Sequence, residues 1–219
     1  MMCLYRRDAK KMERGQSIDV GLLESLYTVM SGHAIAYDQL GTPGRRVGNR
    51  TYGSAPRNTY KTRDDRWVAI AGSTQILTER LFREMGQPEL LNDPRFKTNQ
   101  DRLANVDAVD KVVGNWVGAR TQAEVIEQLV AAEVAVAPVY DFKDLAEDAH
   151  LNARGVNEKI DDPELGALCM PTVQPRLSET PGRIAFAGRP MGECNEEIYG
   201  GRLGLSAAEI AALKADGVI

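Results

Sequence analysis

Between residues 67 and 139 the apolar residues change period several times, and a breaker or a cap marks most of the changes. Trp67–Val68–Ala69–Ile70–Ala71 is an unbroken apolar run closed by Gly72, the pattern of a buried strand. Residues 74–85 then set Ile76, Leu77, Leu81, Phe82 and Met85 on one helical face, and Gly86 stops them. Residues 101–117 repeat the pattern with Leu103, Val106, Val109, Val113, Trp116 and Val117 as one long helix. Thr121 and Glu124 form a capping box ahead of Val125, Ile126, Leu129 and Val130. Residues 134–139 read as a strand. This alternation leaves few options besides layered α/β packing.

The flanks are less regular. Residues 4–12 place Leu4, Tyr5, Ala9 and Met12 on one helix side, with Arg6, Arg7, Lys10 and Lys11 elsewhere. That pattern starts with no N-cap residue, so we expect further polypeptide to precede it. Gly15 and Gln16 end it. Residues 17–20 alternate like a short strand, and residues 21–30 carry Leu22, Leu23, Leu26, Tyr27 and Met30 at helical spacing. Residues 41–66 are punctuated by Gly41, Pro43, Gly44, Gly48, Gly53 and Pro56, and hold six arginines. A stretch that long inside a compact protein is a linker or a binding loop. Further on, residues 141–148 read as a short polar helix. Residues 156–160 and 168–173 read as antiparallel strands about the Asp162–Gly166 turn. Helices follow at 196–203 and 206–215, the second opened by a Ser206/Glu209 capping box.

Composition narrows the class. The 219 residues are 43% apolar and 26% charged with a net charge of −4, which excludes a disordered chain. No run approaches the ~18 apolar residues of a membrane span. Cys3, Cys169 and Cys194 are few, odd in number and form no Cys-x-x-Cys pair, which points to a reducing, cytoplasmic setting. His33 and His150 have no metal-ligand spacing with other residues, so no metal site is expected, and His33 reads as packed or capping. Residues 1–70 carry 12 Lys/Arg against 7 Asp/Glu; the remainder carry 15 against 24. A basic first third suits an anionic small molecule, although a solvated helix face explains the first cluster as well. Nucleic acid is not expected, because the basic residues lack aromatic interleaving and any zinc or RNP-like pattern. Hydrolase elbows, phosphate loops, dinucleotide fingerprints and zinc-protease motifs are missing from the sequence.

Several segments resemble one family. Arg14–Leu22 is similar to a "GxGQxIDVSL" segment of the family III CoA-transferases (the CaiB/BaiF group), and Leu4–Asp8 resembles the "LYxRE" helix before it. Gly48–Asn49–Arg50 with Ala55–Pro56 and Tyr60 resembles "GNxxxxxAPxxxY". Thr62–Ile70 resembles "TxDGWVxIA", and Asn92–Phe96 with Asn99 and Arg102 resembles "DDPRFxTNxxR". Ala137–Val139 with His150, Arg154 and Gly155 resembles a further segment. Pro190–Glu193 and Leu203–Ile219 resemble the family's C-terminal stretch. The matches keep their order from Leu4 to Ile219.

The resemblance implies the C-terminal part of a family III fold. Residues 1–47 would be the end of a Rossmann-like large domain and linker, 48–150 a small α/β domain, and 151–219 a segment returning to the large domain. It implies an enzyme that moves CoA from an acyl-CoA thioester to a carboxylic acid through an aspartyl intermediate. The substrates would be an acyl-CoA and an acid, with no cofactor besides CoA itself. The partner would be a second copy in an interlocked homodimer, or a missing N-terminal half. The family's nucleophilic Asp would lie upstream of Met1, so no catalytic residue is carried over and this chain alone is expected to be inactive. Asp8 and Asp19 match other positions. Gly48, Asn49, Arg50, Tyr52 and Gly53 match the glycine-rich segment near the acyl group, with an ordinary inter-domain turn as the plain alternative. Leu22 matches a position on the CoA side of the cleft, with core packing as its alternative. Two other readings stand beside the transferase: a non-catalytic binding or assembly remnant, and an α-methylacyl-CoA racemase. The racemases place a glutamate where this chain has Thr74, which cannot be a general base near neutral pH. Glu133 stands where the family has a helix-ending Gly.

Overall fold

A computed structural model describes residues 1–12 and 14–219. It divides into two compact units, residues 1–138 and 139–219, and is mixed α/β throughout.

The first unit contains the main core. Its helices are α1 (Met2–Asp8), α2 (Leu22–Val29), α3 (Ser31–Leu40), α4 (Gln75–Glu84), α5 (Asn99–Ala104), α6 (Val106–Gly118) and α7 (Gln122–Ala131). Its strands, β1 (Arg57–Lys61), β2 (Trp67–Ala71) and β3 (Val136–Pro138), form one antiparallel sheet in that order. In β1 and β2 the pleat turns Tyr60, Val68 and Ile70 inward, opposite neighbours that face out. The helices that pack on this face supply Leu81, Phe82, Val109, Val113, Val117, Val125 and Leu129, all fully buried. Burial on this scale contributes roughly 1.5–3 kcal/mol per large apolar side chain.

Several expectations hold in detail and some do not. The helix expected over 101–117 is two helices, broken at Asn105, whose backbone leaves the helical region. Ile76 is exposed, and Thr78 is buried in its stead with its hydroxyl donating to the Gly72 carbonyl at 2.9 Å. Residues 17–20 form no strand, because no neighbour strand offers them a ladder. Strand β1, expected as part of a loop, exists because β2 presents a free edge to Arg57–Lys61. Among the described residues of 1–47 none is buried, and Leu22, Leu23 and Val29 are largely exposed.

The end of α7 shows how local sequence and geometry conflict. The Glu133 N–H donates to the Val130 carbonyl and the Val134 N–H to the Leu129 carbonyl, which together make a Schellman motif. That motif needs a left-handed residue at position 133, and Glu133 has φ of 54°. Its carboxylate pairs with Arg80 at 3.0 Å on the surface.

The second unit holds α8 (Phe142–Glu147), α9 (Ala149–Ala153), the hairpin of β4 (Asn157–Asp162) and β5 (Gly166–Pro171), a π-helical turn at Glu196–Arg202, and α10 (Ala207–Ala215). The hairpin and the Ser206/Glu209 capping box stand where the sequence pattern puts them. Asp162 accepts from the Glu164 and Leu165 N–H groups and so shapes the turn itself. Ile210 is the apolar side chain buried here.

The strain at position 133 leads to a prediction. Replacing Glu133 by Gly removes a left-handed penalty of about 1 kcal/mol and loses only an exposed ion pair. Glu133→Gly should therefore raise the thermal midpoint, whereas Glu133→Ala, which keeps the strain, should not; thermal unfolding followed by circular dichroism checks both.

Candidate functional site

The glycine-rich loop runs from Gly48 to Pro56 on the first unit and rests on elements that differ at its two ends. Gly48 has φ of +65°, which an L side chain adopts only under strain, so this turn requires its glycine. Asn49 donates from Nδ2 to the Thr59 hydroxyl on β1 at 2.7 Å. Arg50 reaches α6, where Nε donates to Asp110 Oδ2 at 2.6 Å and Nη2 pairs with Asp107 at 2.8 Å. Burial of Arg50 works against its charge, but the two carboxylates outweigh it and hold the guanidinium above its ordinary pKa.

Asp110 collects two further donors, Asn58 Nδ2 at 2.9 Å and the Tyr60 hydroxyl at 2.7 Å. Burial first, and the hydrogen bond to Asp110 second, push the Tyr60 phenol far above the ordinary tyrosine range. It therefore stays a donor at any physiological pH.

The far end of the loop is held by α5. Asn99 donates from Nδ2 to the Gly53 carbonyl at 2.9 Å, and its Oδ1 accepts from the Ala55 N–H at 3.2 Å. Arg102 donates from Nε to the Ala55 carbonyl at 2.6 Å. Gly72, at the end of β2, donates its N–H to the Pro56 carbonyl at 2.8 Å. A Cβ there would stand 3.0 Å from the proline ring, so this close approach favours glycine.

Between these anchors Tyr52 and Gly53 face solvent, and the His33 ring meets the edge of Tyr52 with centroids 5.4 Å apart. His33 is thus a neighbour of the loop rather than a core residue. At the foot of the loop the outer sheet face forms a shallow concavity of about 380 Å³, lined by Asn49, Arg57, Thr59, Ala69, Ala71 and Ala137 among others. A second concavity, about 460 Å³, lies among Arg6, Met12, Arg14, Gly15 and Gln16. It gives the basic N-terminal stretch a concave face.

Of the six residues singled out from the sequence, Gly48, Asn49, Arg50, Tyr52 and Gly53 share this loop. Leu22 lies in the first turn of α2, 87% exposed, so core packing within this chain does not account for it. Sequence reasoning did not assign Asp110, Asn58 or Tyr60 to the loop's support. Their contacts to each other and to Arg50 span 50 to 60 residues. Asn99 and Arg102 carried a signal through their motif, but not their role.

Thr74, the position compared with a racemase base, caps α4, its hydroxyl oxygen accepting from the Leu77 N–H at 3.3 Å. Among the described residues no group of three His, Cys, Asp or Glu side chains could hold a metal ion. Among them, too, no helix is long and apolar enough to cross a membrane.

Comparison with known proteins gives a consistent picture. The model of the family "CoA-transferase family III" matches residues 1–195. The chain is 35% identical over 213 residues to the succinyl-CoA–L-malate CoA-transferase alpha subunit of Chloroflexus aurantiacus, covering 97% of this chain and 50% of that protein. It is 33% identical over 219 residues to the succinyl-CoA–D-citramalate CoA-transferase of the same organism, covering 54% of it. In fold it resembles the crystal structure of a CaiB/BaiF family protein from Brucella suis, with a TM-score of 0.70, 24% identity, and coverage of 97% of this chain and 50% of that one. The chain spans about half the length of the relatives it matches.

The Tyr60–Asp110 bond carries a definite expectation. Tyr60→Phe removes one of three donors to a buried carboxylate, a hydrogen bond to a charged group worth about 1.5–3 kcal/mol. Urea unfolding followed by tryptophan fluorescence should show a midpoint lowered accordingly, with an unchanged slope.

Proposed function

We propose that this chain, which belongs to CoA-transferase family III, supplies the acyl-facing part of an enzyme that moves CoA from an acyl-CoA thioester to a carboxylic acid. The observation that carries this reading is the Gly48–Pro56 loop, fixed at both ends with Tyr52 and Gly53 presented to solvent. Backbone N–H groups of such a loop suit the oxyanion that develops when a thioester carbonyl is attacked. The nucleophile would be an aspartate outside these 219 residues. Its carboxylate attacks the thioester carbonyl, the carbon–sulfur bond breaks, and CoA leaves as thiolate with a mixed anhydride left behind. The thiolate then attacks the aspartyl carbonyl, frees the first acid as its carboxylate and leaves an aspartyl-CoA thioester. The second acid's carboxylate attacks that thioester and expels the thiolate, which attacks the acceptor's carbonyl to give the new acyl-CoA and restore the aspartate.

No cofactor is required beyond the CoA of the substrate itself, and a cytoplasmic setting suits such chemistry. The exposed apolar residues of α2 and α3, Leu22 among them, would be covered by the half of the enzyme that carries the aspartate, or by a second copy of this chain. Patches of that kind mark interaction surfaces. Two relatives named for succinyl-CoA make succinyl-CoA the first donor to try, with L-malate as acceptor. A binding or assembly remnant is the second reading, and the assay below separates the two. The racemase reading gains nothing from Thr74, whose hydroxyl is engaged as a helix cap.

The decisive assay mixes this chain with a separately produced N-terminal half of a family relative. Transfer of CoA from succinyl-CoA to L-malate should appear in the mixture and stay at background with this chain alone. Background rates in both, despite a formed complex, favour the remnant.

A further inference from the structure

Two side chains near the loop are buried in a way that packing alone does not explain. Arg102 is fully buried, yet its hydrogen-bond partners are all neutral: the Ala55 and Phe96 carbonyls, at 2.6 and 2.9 Å, and Gln75 Oε1 at 3.1 Å. Its Nη2 has no hydrogen-bond partner among the described residues. Taking a guanidinium out of water without a carboxylate bonded to it is costly, even with the Asp101 charge nearby, and an apolar side chain of similar volume would fill the space more cheaply. What Arg102 does that an apolar residue could not is hold the Ala55 carbonyl. Asp110, its side chain only 10% exposed, is the mirror case: a buried anion on α6 whose cationic partner, Arg50, belongs to the loop. Asp107 also pairs with Arg50, from a side chain that is 90% exposed and open to solvent screening.

We propose that Asp110 and the Asn99–Arg102 pair are positioning residues that set the conformation of the Thr51–Gly53 stretch from its two ends. Asp110 fixes the approach through Arg50. Asn99 reads both the Gly53 carbonyl and the Ala55 N–H of the departing backbone, in the way a neighbouring strand would, and Arg102 fixes the Ala55 carbonyl. Within the stretch itself the side-chain bonds are weak: the Thr51 hydroxyl reaches Ser54 at 3.4–3.5 Å. The loop's shape therefore resides in α5 and α6 rather than in its own residues. That this shape serves a thioester rests on the function proposed above.

Hydrogen–deuterium exchange read by mass spectrometry separates these claims on the full chain. Asp110→Asn keeps the shape of the side chain and removes the charge that holds Arg50. Asn99→Ala removes both of its backbone contacts, and Arg50→Gln breaks the same pair from the loop's side should the first variant fold poorly. In each, the peptide spanning 48–56 should deuterate at least about tenfold faster and by a clearly larger factor than the peptide spanning 109–117, the pattern of local rather than global opening. Val113→Ala, which loosens the core, should leave the loop peptide unchanged. Equal exchange of the loop peptide in wild type and in the folded variants overturns the proposal, as does loosening by Val113→Ala to the same degree. Succinyl-CoA added to wild type combined with the N-terminal half of a family relative tests the other reading: protection of the 48–56 peptide over the same mixture without it supports that reading. Its absence overturns the thioester role alone, because the loop comparison needs no ligand.

Discussion

The carboxylate of Asp110 is withdrawn from water on α6, and three donors from elsewhere in the chain must converge on it. Two come from β1 and one from the loop that precedes it. A single buried charge thus ties a helix, a strand and a loop into one arrangement. Removing one partner of such a group typically costs about 3–5 kcal/mol, because the charge stays buried without it. The sheet register, the tilt of α6 and the course of residues 48–56 are therefore not independent choices.

The two ends of the loop solve the same problem with opposite chemistry. At the start, a buried anion draws in a cation carried by the loop. At the end, a buried cation holds the Ala55 carbonyl of the loop backbone, helped by Asn99 and by the close approach of Gly72. Binding residues on a loop gain precision when a rigid scaffold sets their place, and here the scaffold is the helix–sheet core itself. The same core also explains what remains uncovered. A three-stranded sheet packs helices on one face, and the described residues of 1–47 bury no side chain. On the reading proposed above, both surfaces face the remainder of the enzyme.

Much of the core was legible because it follows local rules. Thr121 and Glu124 cap α7 as their spacing requires, and Val109, Val113 and Val117 share one buried helix face. Strand β1 was not legible, since Arg57–Asn58–Thr59–Tyr60–Lys61 has one buried apolar residue and gains its identity from β2. Residues 17–20 show the converse: alternation without a neighbour makes no strand. The loop was legible through the ordered motif series that brought in Gly48 to Gly53. Its supports were not, because Arg50 and Asp110 meet only after the chain has folded. Asn99 and Arg102 sat inside a quoted motif, but a motif does not say which backbone it grips.

The central claim is that the exposed middle of this loop faces the thioester. A photoreactive acyl-CoA, its reactive group on the acyl end, tests it on this chain combined with an N-terminal half from a family relative. Peptide mapping should place the label on Thr51–Gly53, in competition with succinyl-CoA. Label confined to other segments, or unaffected by the competitor, would contradict the account.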